Sequence, residues 1–359
     1  MPQPTNKKPS KRTRARSGSS FGRLKSRRDY IRGISGIARL PALLVLLTWF
    51  IILAVAIANR QNIFDWWRLQ GYHPPTEVVQ IAGSDTMTAY ARKIWYVNHP
   101  AFDDKPTFRS ACPNNGGEQT IVLGCYHSDQ AGIFVLSVTD PRLKGVMEVT
   151  SAHEMLHAAY DRLSSADKKS IDAQLLAYFN NGLTDARIKT TIAAYKQTEP
   201  NDLVNEMHSI FGTEVAKLPA GLEQYYKRYF TNRQEVVALG AQYQAEFTSR
   251  QQAVAQYDDQ LAVLKKQIDS QEADLKAKQA GISDQHDRLI QLRNGGNVGA
   301  YNAAVPTYNA AIDAYNQEVG TVRSLVNQYN QLVIKRNAIA LEEDELVNVL
   351  NSNTQSLQQ

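Results

Sequence analysis

Between Phe247 and Leu289 an apolar residue stands at every seventh position: Phe247, Val254, Leu261, Ile268, Leu275, Ile282 and Leu289. The companion register at 243, 250, 257, 264, 271, 278, 285 and 292 reads Tyr, Arg, Tyr, Leu, Gln, Lys, Gln and Leu. The 3–4 spacing runs without a slip for about fifty residues, which fits a coiled-coil seam, weaker in its second register. The pattern breaks at "RNGGNVG", 293–299. A second seam follows at Tyr301, Tyr308, Tyr315, Val322 and Tyr329, with Val305, Ile312, Val319, Val326, Val333, Ala340 and Val347 in its companion register. Two heptad helices joined by a Gly-rich turn predict an antiparallel coiled-coil hairpin over 236–359, roughly 75 Å long. Pro306 either starts the return helix or kinks it. The repeated Tyr-Asn pairs put tyrosine in the seam and asparagine toward water.

The other end of the chain is set by charge and hydropathy. Residues 1–39 hold twelve of the 40 Lys/Arg and one of the 35 acids, Asp29, so residues 40–359 carry a net −6. This tail is rich in Ser, Gly and Pro without apolar periodicity, and is expected to be disordered. It ends at "LPALLVLLTWFIILAVAIA", 40–58, which has no charged residue. As a helix that run covers roughly 30 Å, the hydrocarbon thickness of a bilayer, and predicts one transmembrane helix. Trp66 and Trp67 follow at the place of an aromatic belt. The positive-inside rule puts the tail in the cytoplasm and residues 59–359 outside. Ala56-Ile57-Ala58 also fits a signal-peptide cleavage site, but the long basic region and the long apolar run favour an uncleaved anchor. With a span directly behind it, the basic tail is expected to meet anionic lipid headgroups rather than nucleic acid.

Residues 59–235 read as a mixed domain. "SDTMTAYARKIWYV", 84–97, predicts a helix capped by Ser84. "QTIVLGCY", 119–126, and "GIFVLSV", 132–138, predict a hairpin. Helices follow from Ser165, Thr184, after Pro200, and at Pro219. That order is α+β. The two cysteines, Cys112 and Cys125, lie on the expected outer side, where oxidation is permitted, and predict a disulfide closing a loop that turns on Asn-Gly-Gly. Two buried thiols are the alternative.

"VTSAHEMLHAAYDRL", 149–163, contains His153-Glu154-Met155-Leu156-His157, an H-E-x-x-H pattern. On a helix, positions i and i+4 share a face, so both imidazoles can reach one metal ion. Glu154 lies about 100° round the helix, beside that ion, where a carboxylate can take a proton from water and return it to a leaving amine. A catalytic zinc needs a third protein ligand and an open position. Asp161, one turn past His157, is one option. "NDLVNEMHSIFGTE", 201–214, offers Glu206, His208 and Glu214. His208 and Glu214 point about 160–200° and 80° away from Glu206 on an ideal helix, so at most one of these faces meets the metal.

Asn205-Glu206-Met207-His208-Ser209, together with the H-E-x-x-H helix, resembles the thermolysin-like gluzincin zinc peptidases. The resemblance covers two short helices and implies Glu206 as third ligand beside His153 and His157, Zn2+ as cofactor and Glu154 as general base. It also implies a zincin-like domain acting on protein or peptide. Ile210 stands where the family carries an acidic residue after the Ser. Zincins hold an extended substrate against an edge strand, and both "GIFVLSV" and "QTIVLGC" are candidates for that edge. Tyr225, Tyr226 and Tyr229 are candidates, by type only, for the donor to the oxyanion; aromatic core is the expected role of at least two of them.

The sequence therefore leads us to expect a membrane-anchored zinc metallopeptidase in a bacterial cell envelope, facing the extracytoplasmic side. Its coiled coil would dock a partner or substrate, or set a homo-oligomer. The alternative is a non-enzymatic envelope scaffold whose coiled coil is the functional part and whose metal site is structural or vestigial. Hydrolysis of other amides, as in cell-wall peptides, is a third possibility.

Overall fold

The computed structural model describes residues 39–113 and 121–352. The basic tail up to residue 38 and the Asn-Gly-Gly turn lie outside the described residues. The chain divides into two compact units between Trp67 and Arg68.

The first unit holds helix α1 (Arg39–Ala58) and most of α2 (Arg60–Leu69). Large apolar side chains from Leu43 to Ile57 are exposed all round α1. Among the described residues no single helix is long and apolar enough to cross a membrane. Leu43–Ala58 and Arg60–Leu69 meet that length and composition together, bent by 69°.

The second unit is mostly helical, with a small sheet and a long helical hairpin. Its elements are α3 (Thr76–Ser84), α4 (Ala89–Val97), β1 (Ala101–Asp103), α5 (Lys105–Ala111), β2 (Gly124–His127), β3 (Gly132–Leu136), α6 (Val146–Asp161), α7 (Ser165–Asn181), α8 (Ala186–Thr198), α9 (Leu203–Glu214), α10 (Ala220–Tyr226), α11 (Arg233–Asn294) and α12 (Val298–Leu350). The expected hairpin forms as β2 and β3, antiparallel with Cys125 opposite Phe134. β1 adds to the other side of β3 in parallel, Phe102 opposite Val135, so the order is β1-β3-β2. β3 is thus the central strand, which suits its nearly continuous apolar sequence.

Ser84 ends a helix rather than starting one. The chain breaks at Asp85–Met87, where Thr86 has φ +51° and Met87 bridges to Phe230. Thr88 then caps α4 by accepting from the Ala91 N–H. Ser164 and Asp185 cap α7 and α8 in the same way, each one residue from the expected cap. Pro306 lies inside α12, two turns past its start at Val298.

The core is built round α6. Ala152, Met155, Leu156, Ala158 and Ala159 are fully buried, with Trp95 of α4 and Ile210 and Phe211 of α9 in the same cluster. The α6–α9 approach requires Gly212: a Cβ there would lie 2.4 Å from Leu156 Cδ1. A side chain there would force Leu156 or the Tyr226 ring out of its packed position.

The hairpin is fused to this core. The buried Arg233, at the start of α11, donates to the carbonyls of Phe211, Val215 and Ala216 at the end of α9 and pairs with Glu223. It thereby satisfies carbonyls that the end of α9 leaves without helical partners. Val236 belongs to the main cluster. On the return helix, Leu346 and Leu350 pack against Leu143, just before α6, and Val146, its first residue. Further out, Arg250 meets Glu342 at 3.4 Å, Gln251 meets Glu343 at 3.0 Å, Asp258 meets Arg336 at 3.0 Å, and Lys278 meets Glu318. These contacts fit one antiparallel register. With 62 and 53 residues, the two helices reach about 90 and 80 Å, longer than the heptads alone suggest.

Candidate metal centre

α6 presents His153 and His157 one turn apart, their ring centroids 4.8 Å from each other. α9 lies across from them and supplies Glu206. Its Oε1 is 3.3 Å from His157 Nε2 and its Oε2 is 3.5 Å from His153 Nε2. One donor atom from each of the three residues falls within 4.8 Å of the others. Glu206 Oε2 is buried with no close hydrogen bond beyond its long contact to His153. A buried carboxylate oxygen left in that state is costly unless a cation takes it up. Two imidazole nitrogens and one carboxylate oxygen match the donor set of a three-ligand zinc site and are poorly suited to calcium or magnesium.

The electrostatics point the same way. Burial pulls the His153 imidazole down, but the Glu206 carboxylate, with Glu154 and Glu214, overrides this and raises it to about 9. Burial pushes Glu206 up, and His157, His153 and a hydrogen bond from Tyr195 more than offset that, so its pKa is lowered. The mutual pull between His153 and Glu206 is the kind of pairing that a metal cation bound by both would replace.

Glu154 is buried beside this group and faces the sheet. A Cβ on Gly124 would fall 2.8 Å from its Cγ and Oε1 and 2.6 Å from Thr150 Cγ2. Glycine at 124 is thus what lets β2 close onto α6. Burial raises the Glu154 pKa; His157 and His153 pull it down, Glu206 pushes it up, and the Tyr126 backbone N–H pulls it down, leaving it raised overall.

Of the other residues considered as ligands, Asp161 and Glu214 line the same cleft but are engaged by other side chains, and His208 is in the core. Asp161 accepts a 3.0 Å hydrogen bond from the Tyr126 hydroxyl. Glu214 pairs with Arg187 at 2.6 Å. His208 is fully buried, its Nε2 2.9 Å from the Tyr225 hydroxyl and its ring against Tyr160, Tyr225, Tyr226 and Tyr229. Burial pushes its pKa well below the ordinary imidazole value. The same contacts remove the three tyrosines from the oxyanion role considered for them. They pack round His208 in the core, because on α9 position 208 faces away from position 206.

The three residues and Glu154 line a cleft of about 800 Å³. One wall is β2. Leu123 accepts from the Leu136 N–H across the hairpin, so 123, 125 and 127 turn their backbone groups to β3, while Gly124 and Tyr126 turn theirs outward. Of the two runs considered for a substrate edge, "GIFVLSV" is central and paired on both sides, and only the "QTIVLGC" run gives an edge. Cys112, just past α5, and Cys125 on β2 form the expected disulfide, which ties this edge to α5. Tyr243 at the base of α11 also lines the cleft, so the hairpin contributes to its wall.

Tyr195 was not legible in the sequence. It sits on α8, lines the cleft and hydrogen-bonds Glu206; nothing in "TIAAYKQ" marks it off from a packing tyrosine. No protein-family model, curated protein or solved structure matches this chain.

Proposed function

We propose that this chain is a membrane-anchored zinc metallopeptidase with a zincin-like catalytic domain on the extracytoplasmic side of a bacterial envelope. One observation carries the reading: His153, His157 and Glu206 converge on one point, beside a buried Glu154 and next to β2, the edge strand of the sheet among the described residues. Zinc, when bound, supplies a Lewis acid that polarises the scissile carbonyl and acidifies water. His153, His157 and Glu206 hold it. Glu154 takes the proton from the attacking water and hands it to the departing amine; its raised pKa suits a group that must both accept and release a proton. The outward backbone groups of β2 that Glu154 does not engage, those of Gly124 and the Tyr126 carbonyl, hold an extended peptide by strand addition. The apolar helix α1 anchors the domain in the bilayer, with the basic tail in the cytoplasm. The coiled coil docks a partner or substrate, or sets an oligomer.

The test is metal dependence of the full chain in detergent or vesicles. Purified protein is expected to carry about one zinc and to cleave an unfolded protein substrate. Chelation is expected to abolish cleavage and added zinc to restore it. If zinc binds and no protein, peptide or envelope partner is cut, the scaffold reading replaces this one.

The strand edge yields a second expected result. In Gly124→Ala the added methyl meets Glu154 and Thr150, so β2 or the Glu154 carboxylate must shift. Small overpackings of this kind cost about 1–3 kcal/mol, and a misplacement near 1 Å costs up to about 100-fold in rate. Thermal melting should show the first effect and kcat/KM the second, with zinc content unchanged.

A further inference from the structure

We propose that α2 is an interfacial helix that lies along the outer surface of the bilayer, with Ile63, Trp66 and Trp67 inserted at the boundary between headgroups and acyl chains. The proposal rests on the reading of α1 as a membrane anchor and goes beyond it: of the bent pair that meets the length and composition of a span together, it places α2 at the surface and leaves the uncharged run 40–58 to cross.

Three observations carry it. First, Ile63, Trp66 and Trp67 are 49%, 63% and 64% exposed. At 100° per residue they fall within an arc of about 100°. They therefore form one largely exposed apolar face, and the buried Asp65 lies about 150° round from its centre.

Second, the bend sets their depth. Trp67 is nine residues past Ala58. A straight continuation of α1 would lift it about 13 Å beyond the end of the apolar run. The 69° bend reduces that rise to about 5 Å, within the layer where amphipathic interfacial helices sit.

Third, the chemistry of the face suits that layer. Indole has an apolar body and one N–H donor, which favours the headgroup level over both water and hydrocarbon. Arg60 is exposed at the start of α2, about 20° round from Trp67, where it can meet lipid phosphate. A lipid surface fits this combination better than a second copy of the chain, because only the polar stretch 59–62 separates this face from the exposed apolar side chains of α1.

The test uses the full chain in vesicles of phosphatidylcholine and phosphatidylglycerol. Nitroxide-labelled lipids quench tryptophan emission either near the headgroup or deep in the chains, and iodide quenches it from water. The double variant Trp66→Phe/Trp67→Phe isolates the α2 signal. Trp49→Phe isolates a residue of α1 expected near mid-bilayer, and Trp95 is fully buried. The α2 signal is expected to be quenched at least two-fold more by the shallow lipid label than by the deep one, and to resist iodide. The Trp49 signal should respond most to the deep label. The proposal fails, with the anchor intact, if iodide alone reaches the α2 signal while Trp49 is still quenched from deep lipid. It fails likewise if neither iodide nor lipid reaches the α2 signal, which would mean that protein covers this face. If the deep label does not reach Trp49, the anchor reading falls and this proposal falls with it.

Discussion

Glu154→Gln is expected to leave about one zinc bound and to lower turnover by about 100- to 10,000-fold. Gln matches Glu in size, so it fits the buried space between α6 and Gly124 without the clash that a larger group would meet. Its amide oxygen can still accept from the Tyr126 backbone N–H that approaches Glu154. The amide cannot take a proton from water or return one to an amine, so only the proton transfer is lost. The zinc should remain because Glu154 does not belong to the His153–His157–Glu206 group. The measurements are zinc content of the folded variant and kcat on the same substrate as the wild type. Loss of zinc would make Glu154 a ligand rather than a base. Turnover within two-fold of wild type would remove it from the chemistry.

Legibility in the sequence followed the range of the signal. The heptad seams were readable because a period is local and repeats; the cross-helix pairs Arg250–Glu342 and Asp258–Arg336 fit that antiparallel reading. The H-E-x-x-H helix was readable because three residues within a five-residue stretch carry its geometry. The strand edge was only half readable. β1 has three residues, too few for a pattern, yet its pairing with β3 is what makes β3 central and leaves β2 as the edge. The helix starts missed by one residue at Ser164 and Asp185, where two neighbouring residues could each cap. Tyr225, Tyr226 and Tyr229 were considered for the oxyanion by type alone. What excludes them is the orientation of α9, set by the contact of Gly212 with Leu156 and Tyr226, and no local pattern reports that orientation.

That orientation also decides the third ligand, and Glu206→Gln tests it. Removal of a residue that merely supports a ligand costs about 10–100-fold in metal affinity. Replacement of a ligand should cost more than about 100-fold, because a neutral amide oxygen gives up both the charge and the stronger donor. The substitution keeps shape, so the fold should persist. It also removes the carboxylate that raises His153 in the metal-free protein, so the apo variant should bind fewer protons near neutral pH than apo wild type. Glu214→Gln and Asp161→Asn are the controls. Glu214 already pairs with Arg187 and Asp161 with the Tyr126 hydroxyl, so both variants should hold zinc within a few-fold of wild type. The readout is a competition titration against a chelator of known affinity. If Glu206→Gln keeps wild-type affinity while either control loses it, the third ligand lies at the control position. The 3.3 and 3.5 Å contacts from Glu206 to the two histidines would then be only a buried ion pair. If only Glu206→Gln loses zinc, α9 carries a ligand, and the close α6–α9 packing at Gly212 is what brings it to the two histidines.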